Sequence, residues 1–149
     1  MAIDLRAPDG TNRPFNSLTL QYVCTLRRFS SAVIWARCGA DWEEAGVVYL
    51  NDVRQPRTIG NYRHDRFATI PEANFDQKVA IAGWHKQSAP DSRKPWVASH
   101  GRIRPGSIVP GGLVAVAEWD DSWDHGIGDF DDLITEVQRL SGTVHPIGG

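Results

Sequence analysis

The sequence lacks the long apolar runs and the cysteine pairs that mark several common protein classes. Its 149 residues contain no stretch near the ~18 consecutive apolar residues of a membrane-spanning helix. The two cysteines, Cys24 and Cys38, form no CxxC pattern, and cysteine and histidine are too sparse for a structural zinc site. Both cysteines lie in apolar, strand-like runs, which predicts buried thiols in a reducing compartment, with a disulfide between neighbouring strands as the alternative.

No catalytic or nucleotide-binding signature is present. The chain has no GxSxG nucleophile elbow, no P-loop and no Rossmann glycine pattern, and its histidines form neither HxH nor HExxH spacing. Catalytic carboxylates that lie apart in sequence leave no such motif, so a small hydrolase using Glu118 and Asp129 stays an alternative. We favour a protein that is not an enzyme.

The N-terminal residues also lack the apolar core of a secretion signal, since MAIDLRAPDGTNRPF contains charges and two prolines. We therefore expect a cytoplasmic protein, or one released without a standard signal peptide. With 41% hydrophobic and 23% charged residues, the composition is that of a globular protein. We predict one domain over 1–149, with loosely ordered ends at 1–16 and 142–149.

Short apolar runs separated by turn-forming residues occupy the rest of the chain. Residues 17–26 place alternate apolar side chains on one face, as in a strand that is half buried. Residues 78–84, KVAIAGW, form a continuous apolar run, which is typical of a strand covered on both faces. Runs at this spacing predict an all-β, mainly antiparallel domain, either a β-sandwich or a small barrel.

The segment 130–140 fits two structures. Its apolar residues recur at helical spacing: Phe130, Leu133, Ile134, Val137 and Leu140. Asp129 suits a helix N-cap, so the pattern favours a short helix. A strand, in which Leu133, Thr135 and Val137 share one face, is the alternative.

The negative charge of the chain is concentrated in one segment. Residues 118–134 hold seven carboxylates and no lysine or arginine, although the net charge of the chain is only -2. Like charges that converge need a cation among them, and calcium accepts about six to eight oxygen ligands in flexible geometry. The segment therefore predicts a Ca2+ site, with a solvated acidic loop as the alternative. Its candidate ligands are Asp120, Ser122, Asp124, Asp129, Asp131 and Asp132.

The same residues resemble a calcium-associated motif. Glu118-Trp119-Asp120, then Gly128-Asp129, then Phe130-Asp131-Asp132-Leu133, is similar to the acidic C-terminal signature of calcium-associated β-sandwich domains in bacterial surface and adhesin proteins. The resemblance covers about 17 residues. It implies a β-sandwich, a bound calcium ion, and a strand rather than a helix after the last acids.

Six tryptophans are many for a chain of this length, and several stand beside polar or turn residues. A tryptophan ring in a polar loop can stack on a sugar, whereas the alternative for each ring is a place in the core. We predict a lectin-like module that binds carbohydrate, or another small polar ligand, with the help of calcium. The candidate ligand-binding residues are Trp96, Trp123, His85, Asp91 and Trp42.

A homo-oligomeric assembly protein is the second hypothesis. Arg54, Arg57, Arg63 and Arg66 lie close together in sequence, so the acidic segment of one chain could dock on this basic segment of another. The near-neutral total charge argues against nucleic acid as a partner.

Overall fold

The protein folds into two packed antiparallel sheets, as seen in a computed structural model that describes residues 3–38, 43–59, 66–86, 93–105, 113–120 and 133–146. These residues form eleven strands and no helix. The strands are β1 Leu20–Leu26, β2 Ser31–Cys38, β3 Glu43–Leu50, β4 Val53–Ile59, β5 Arg66–Ile70, β6 Gln77–Lys86, β7 Val97–Ala98, β8 His100–Pro105, β9 Leu113–Asp120, β10 Leu133–Ser141 and β11 Val144–Pro146. In the described ranges no helix could cross a membrane.

Each sheet contributes one face to a shared core. Sheet A has the order β11-β1-β6-β3-β4, with β7 beside the end of β6, and sheet B has the order β5-β2-β10-β9-β8. Apolar side chains from both sheets, such as Ile34 of β2, Ile81 of β6 and Val137 of β10, are buried between them. The predicted all-β sandwich is therefore confirmed.

The outer face of sheet A is covered by residues 3–16, which form no strand. Ala7 is fully buried there, and the Phe15 and Trp84 rings lie 6.2 Å apart. Tyr49 Oη donates a hydrogen bond to the Asp4 carbonyl (2.6 Å), and the Arg54 guanidinium donates to two carbonyls of the segment. The run 78–84 is thus covered on both faces, as its composition predicts. The described part of 1–16 thus packs on the sheet, and loose order at the two ends of the chain stays a prediction.

The helix favoured for 130–140 is wrong for the residues that the structure describes. Leu133–Ser141 is β10, paired on one side with β2 and on the other with β9. Thr135 faces the core, whereas Ile134 faces outward opposite Glu118. The outward Ile134 created the helical spacing, and pairing on both sides of the strand outweighs that local pattern. Residues 130–132 lie outside the described part.

Cys24 is a free, fully buried thiol in this core. Burial disfavours the thiolate and raises the pKa of Cys24 to about 12. The prediction of a buried thiol is confirmed for Cys24, and the side chain of Cys38 lies outside the described part.

Candidate functional site

The acidic segment connects two neighbouring strands of sheet B. β9 ends at Asp120 and β10 begins at Leu133, and Trp119 and Leu133 are direct partners in the ladder. The twelve residues 121–132 therefore start and finish at adjacent strands. The sheet fixes the two ends of the segment a strand spacing apart, roughly 5 Å.

Trp119 anchors this end of β9 inside the sandwich. Its side chain is fully buried, and its Nε1 donates a hydrogen bond to the Thr19 carbonyl (2.9 Å). Gly83 of β6 and Gly101 of β8 approach the indole so closely that a methyl group on either would lie 2.4 Å or 2.3 Å from a ring atom. The indole therefore fills space that only glycine leaves open, and it joins sheet A to sheet B directly beside the acidic segment.

Several strands end at the same side of the molecule, which we name the acidic end. In sheet A, Glu43 at the start of β3 pairs with Lys86 at the end of β6. In sheet B, His100 at the start of β8 pairs with Asp120 at the end of β9. The contact between Gly83 and Trp119 brings the two sheets together at this end. The chain thus enters residues 39–42, 87–92 and 121–132 from the acidic end.

Eight predicted site residues fall within those connections. Ser122, Asp124, Asp129, Asp131, Asp132, Trp123, Trp42 and Asp91 lie outside the described residues. Asp120 is the last residue of β9, and only its backbone is described. Within the described part, no three histidine, cysteine or carboxylate side chains converge on a point that could hold a metal ion. The calcium prediction therefore stays a prediction.

A polar group lies inside the sandwich beneath the acidic end. Glu44 and His85 are direct partners in β3 and β6, on the sheet face that Val48 and Ile81 turn toward the core. His85 Nδ1 and Ser99 Oγ are 2.8 Å apart, and Glu44, His85 and Ser99 are all buried. His85 is buried against Ser99, and its contact with a ligand stays a prediction. The group joins β3, β6 and the residue between β7 and β8, a combination that single-residue patterns do not show.

Trp96 lies on the outer face of sheet A, together with Trp84, and is 6% exposed. Lys86 Nζ is 5.0 Å from the centroid of its ring and 3.8 Å from a Glu43 carboxylate oxygen. Arg13 Nε donates to the Trp96 carbonyl (3.2 Å). The Trp96 ring is therefore buried and already in contact with the Lys86 ammonium group. Contact between Trp96 and a ligand stays a prediction.

Glu118, one of the two carboxylates of the hydrolase alternative, lies on the outer face of sheet B. Arg102 Nε is 2.8 Å from its Oε1, and Arg104 is 3.4 Å from its Oε2. The carboxylate is therefore in an ionic environment, not in the apolar pocket that would suit a general acid. Arg54, predicted to belong to a basic docking surface, is instead bonded to the N-terminal segment.

The fold is similar to that of two bacterial lectins. The Chromobacterium violaceum lectin CV2L, solved in complex with alpha-methyl-fucoside, matches with a TM-score of 0.52 and 14% identity, over 83% of this chain and 98% of the lectin. This chain has a lectin-like β-sandwich fold. The Ralstonia solanacearum high-affinity mannose-binding lectin matches with the same TM-score and 18% identity, over 83% of this chain and 98% of that one.

These identities are low enough that the similarity establishes the fold alone. The sequence matches no protein-family profile and no curated protein. The resemblance to calcium-associated adhesin domains stays a prediction.

Proposed function

We propose that this lectin-like protein binds carbohydrate at its acidic end, in a site that depends on calcium. The observation that carries the proposal is the pairing of Trp119 with Leu133, which holds both ends of the acidic segment together. The similarity of the fold to two lectins, one solved with a fucoside and one named for mannose, supports carbohydrate as the ligand class.

The pairing also places many like charges close together. Residues 121–132 contain five carboxylates and no lysine or arginine. Because the ends of this segment are a strand spacing apart, all five charges are attached at one place on the sandwich. A divalent cation that gathers several oxygens would offset their repulsion, and calcium tolerates the irregular geometry of a loop. The proposed ligands are Asp120, Ser122, Asp124, Asp129, Asp131 and Asp132.

A calcium ion held in this way can accept sugar hydroxyls in place of its water ligands. The apolar face of a sugar ring stacks on an aromatic side chain, and Trp123 follows the first acids of the segment. Specificity would then come from the hydroxyl pattern at the ion, and affinity would be lost when the ion is removed.

Thermal unfolding tests the calcium part of the proposal. We expect the Tm to rise by several degrees in millimolar calcium and to return in chelator, since a ligand bound by the native state alone at 100 times its Kd stabilises by about 2.7 kcal/mol. Asp131→Asn should abolish the rise. Glu72→Gln is the control, because Glu72 is an exposed acid that contacts Ser141 at the far end of β10. An equal Tm in calcium and in chelator would contradict a calcium site.

Calorimetric titration with alpha-methyl-fucoside and with mannose tests the sugar part. Heat that appears in calcium and disappears in chelator supports the proposal. Calcium binding without heat from either sugar, followed by no signal on a broader glycan array, rejects carbohydrate as the ligand. An oligomer that dissociates in salt, with no response to chelator, supports the assembly hypothesis instead.

A further inference from the structure

A cavity of about 330 Å³ lies at the side of the sandwich, between the edge strands of the two sheets. β4 is the edge of sheet A and β5 is the edge of sheet B. The cavity walls are mostly apolar and include Val48, Leu50, Pro56, Ala68 and Ile70.

The sequence explains why space remains here. Pro56 has no N–H to donate and suits an edge strand, and the β3–β4 ladder shifts register between Val47 and Tyr49. Ala68 is partly exposed and packs against the core with a single methyl group, directly between the sheets. Among the described residues, the short Ala68 side chain leaves this edge of the sandwich open.

The cavity is remote from the acidic end. Leu50 is seven residues along β3 from Glu43, which corresponds to about 23 Å. A ligand bound in the cavity would therefore lie far from the acidic end. Binding in the cavity does not depend on the proposed function.

The volume and lining restrict what could bind. Small-molecule pockets measure roughly 300–1,000 Å³ and are mainly apolar with few polar groups. An engineered apolar cavity of about 150 Å³ binds benzene, so a space about twice as large suits a bicyclic molecule. None of the described side chains that line the cavity is charged, which disfavours an ionic ligand because the ion would lose its hydration without compensation.

The amide of Gln55 could orient a ligand in the cavity. Gln55 lines the cavity, and its Nε2 donates a hydrogen bond to the Val53 carbonyl (2.9 Å). This bond uses one amide N–H and leaves the amide oxygen to act as an acceptor. A ligand with one N–H group would satisfy that acceptor while its rings contact Val48, Ala68 and Ile70.

We propose that the cavity between β4 and β5 is a binding site for a small, uncharged, bicyclic aromatic molecule with one N–H donor. Indole is the simplest probe of this chemistry. In a titration followed by the backbone amide signals in NMR, indole shifts the signals of Ala68, Ile70 and Gln55 and saturates. Indole binds about fivefold more tightly than 1-methylindole, the ratio that one ordinary hydrogen bond gives.

Cavity-filling variants test the location. Ala68→Phe places a ring in the space and should weaken indole binding at least tenfold, and Ala68→Leu serves if the Phe variant does not fold. Phe75→Ala removes an aromatic side chain that is 56% exposed, and it should leave binding unchanged because surface adsorption is not the mode. Gln55→Leu should remove the preference for indole over 1-methylindole.

Two results would overturn the proposal. The first is that the wild-type protein shows no saturable shifts with indole. The second is that a folded Ala68→Phe or Ala68→Leu variant binds indole as tightly as the wild type, which would place the probe elsewhere.

Discussion

The two faces of sheet A are covered by different means. The inner face packs against sheet B, and the indole of Trp119 crosses the interface to lie against Gly83. The outer face carries Trp84 and is covered by residues 3–16, a segment without strands that is attached through hydrogen bonds to Tyr49 and Arg54. The inner face is thus covered by a β-sheet, and the outer face by a single segment without secondary structure.

The two tryptophans show what this difference means. Trp119 Nε1 is bonded to the Thr19 carbonyl, whereas Trp84 Nε1 is buried with no hydrogen-bond partner in the part of the chain that the structure describes. At Trp119, the register of the strands matches both the shape and the hydrogen bond of the indole. At Trp84, residues 3–16 supply apolar contact, and the described residues offer no partner to its Nε1. We therefore expect substitutions on the inner face to cost more than equivalent ones on the outer face.

The largest effect is expected for Gly83→Ala. The added methyl group would lie 2.4 Å from the buried Trp119 ring, which cannot rotate away, so we expect a loss of about 2–3 kcal/mol from overpacking. Gly46→Ala in the neighbouring strand is the control, since its methyl would meet the Ile59 side chain at 3.0 Å. Denaturant unfolding measures both variants. Equal losses would show that the indole yields as easily as an isoleucine.

The paired variants Trp119→Phe and Trp84→Phe test the comparison directly. Trp119→Phe removes a buried hydrogen bond and opens a void, for an expected loss of about 2 kcal/mol. Trp84→Phe also opens a void but removes an unmatched donor, so the loss should be below about 1 kcal/mol. Urea midpoints rank the two. A larger loss for Trp84→Phe would refute the proposed difference between the faces.

The smallest effect expected is a dependence on pH that comes from the inner face. Because burial raises the pKa of Cys24 from its ordinary value of 9.0 to about 12, the native thiol stays neutral at a pH where the unfolded thiol ionises. The stability that depends on this thiol is therefore complete well below pH 9 and falls as pH rises. Cys24 alone should remove about 0.8 kcal/mol by pH 9.5.

Unfolding of Cys38→Ser and of the double variant with Cys24→Ala, each at pH 7 and pH 9.5, isolates this contribution. The pKa values of Tyr22 and Tyr49 are also raised, by the bond to Asp52 and by burial respectively, so measurement below pH 10 limits their effect. Identical pH dependence with and without Cys24 would mean that the thiol is not enclosed in the core.

The sequence predicts the strands of this fold better than their arrangement. Alternation in 17–26 and the apolar run in 78–84 identify β1 and β6, because strand burial leaves a local pattern. The spacing in 130–140 favours a helix over the alternative strand because Ile134 faces outward, and only the pairing of β10 with β2 and β9 decides for the strand. The packing of residues 3–16 depends on a partner surface in β6, which no local pattern contains.

For the candidate site too, the sequence shows the local pattern but not the contacts between distant residues. The concentration of acids in 118–134 is visible in the sequence, and so is the identity of the possible calcium ligands. The contacts that hold the end of β9 beside this segment are not visible in the sequence. Trp119 contacts Gly83 and Gly101, which lie 36 and 18 residues away along the chain. The buried group of Glu44, His85 and Ser99 depends on the register between β3 and β6 and on the position of the residue between β7 and β8, which are properties of the whole fold.

The ladder pair of Trp119 and Leu133 also makes residues 121–132 a natural position for loop exchange. Since the strands on both sides close the segment, a foreign insert would not have to bring its own ends together. Doubling the length of a flexible loop adds only about 0.6 kcal/mol of closure free energy. The sandwich could therefore serve as a scaffold that displays libraries of metal-binding or peptide-binding sequences at this position while β9 and β10 stay in register.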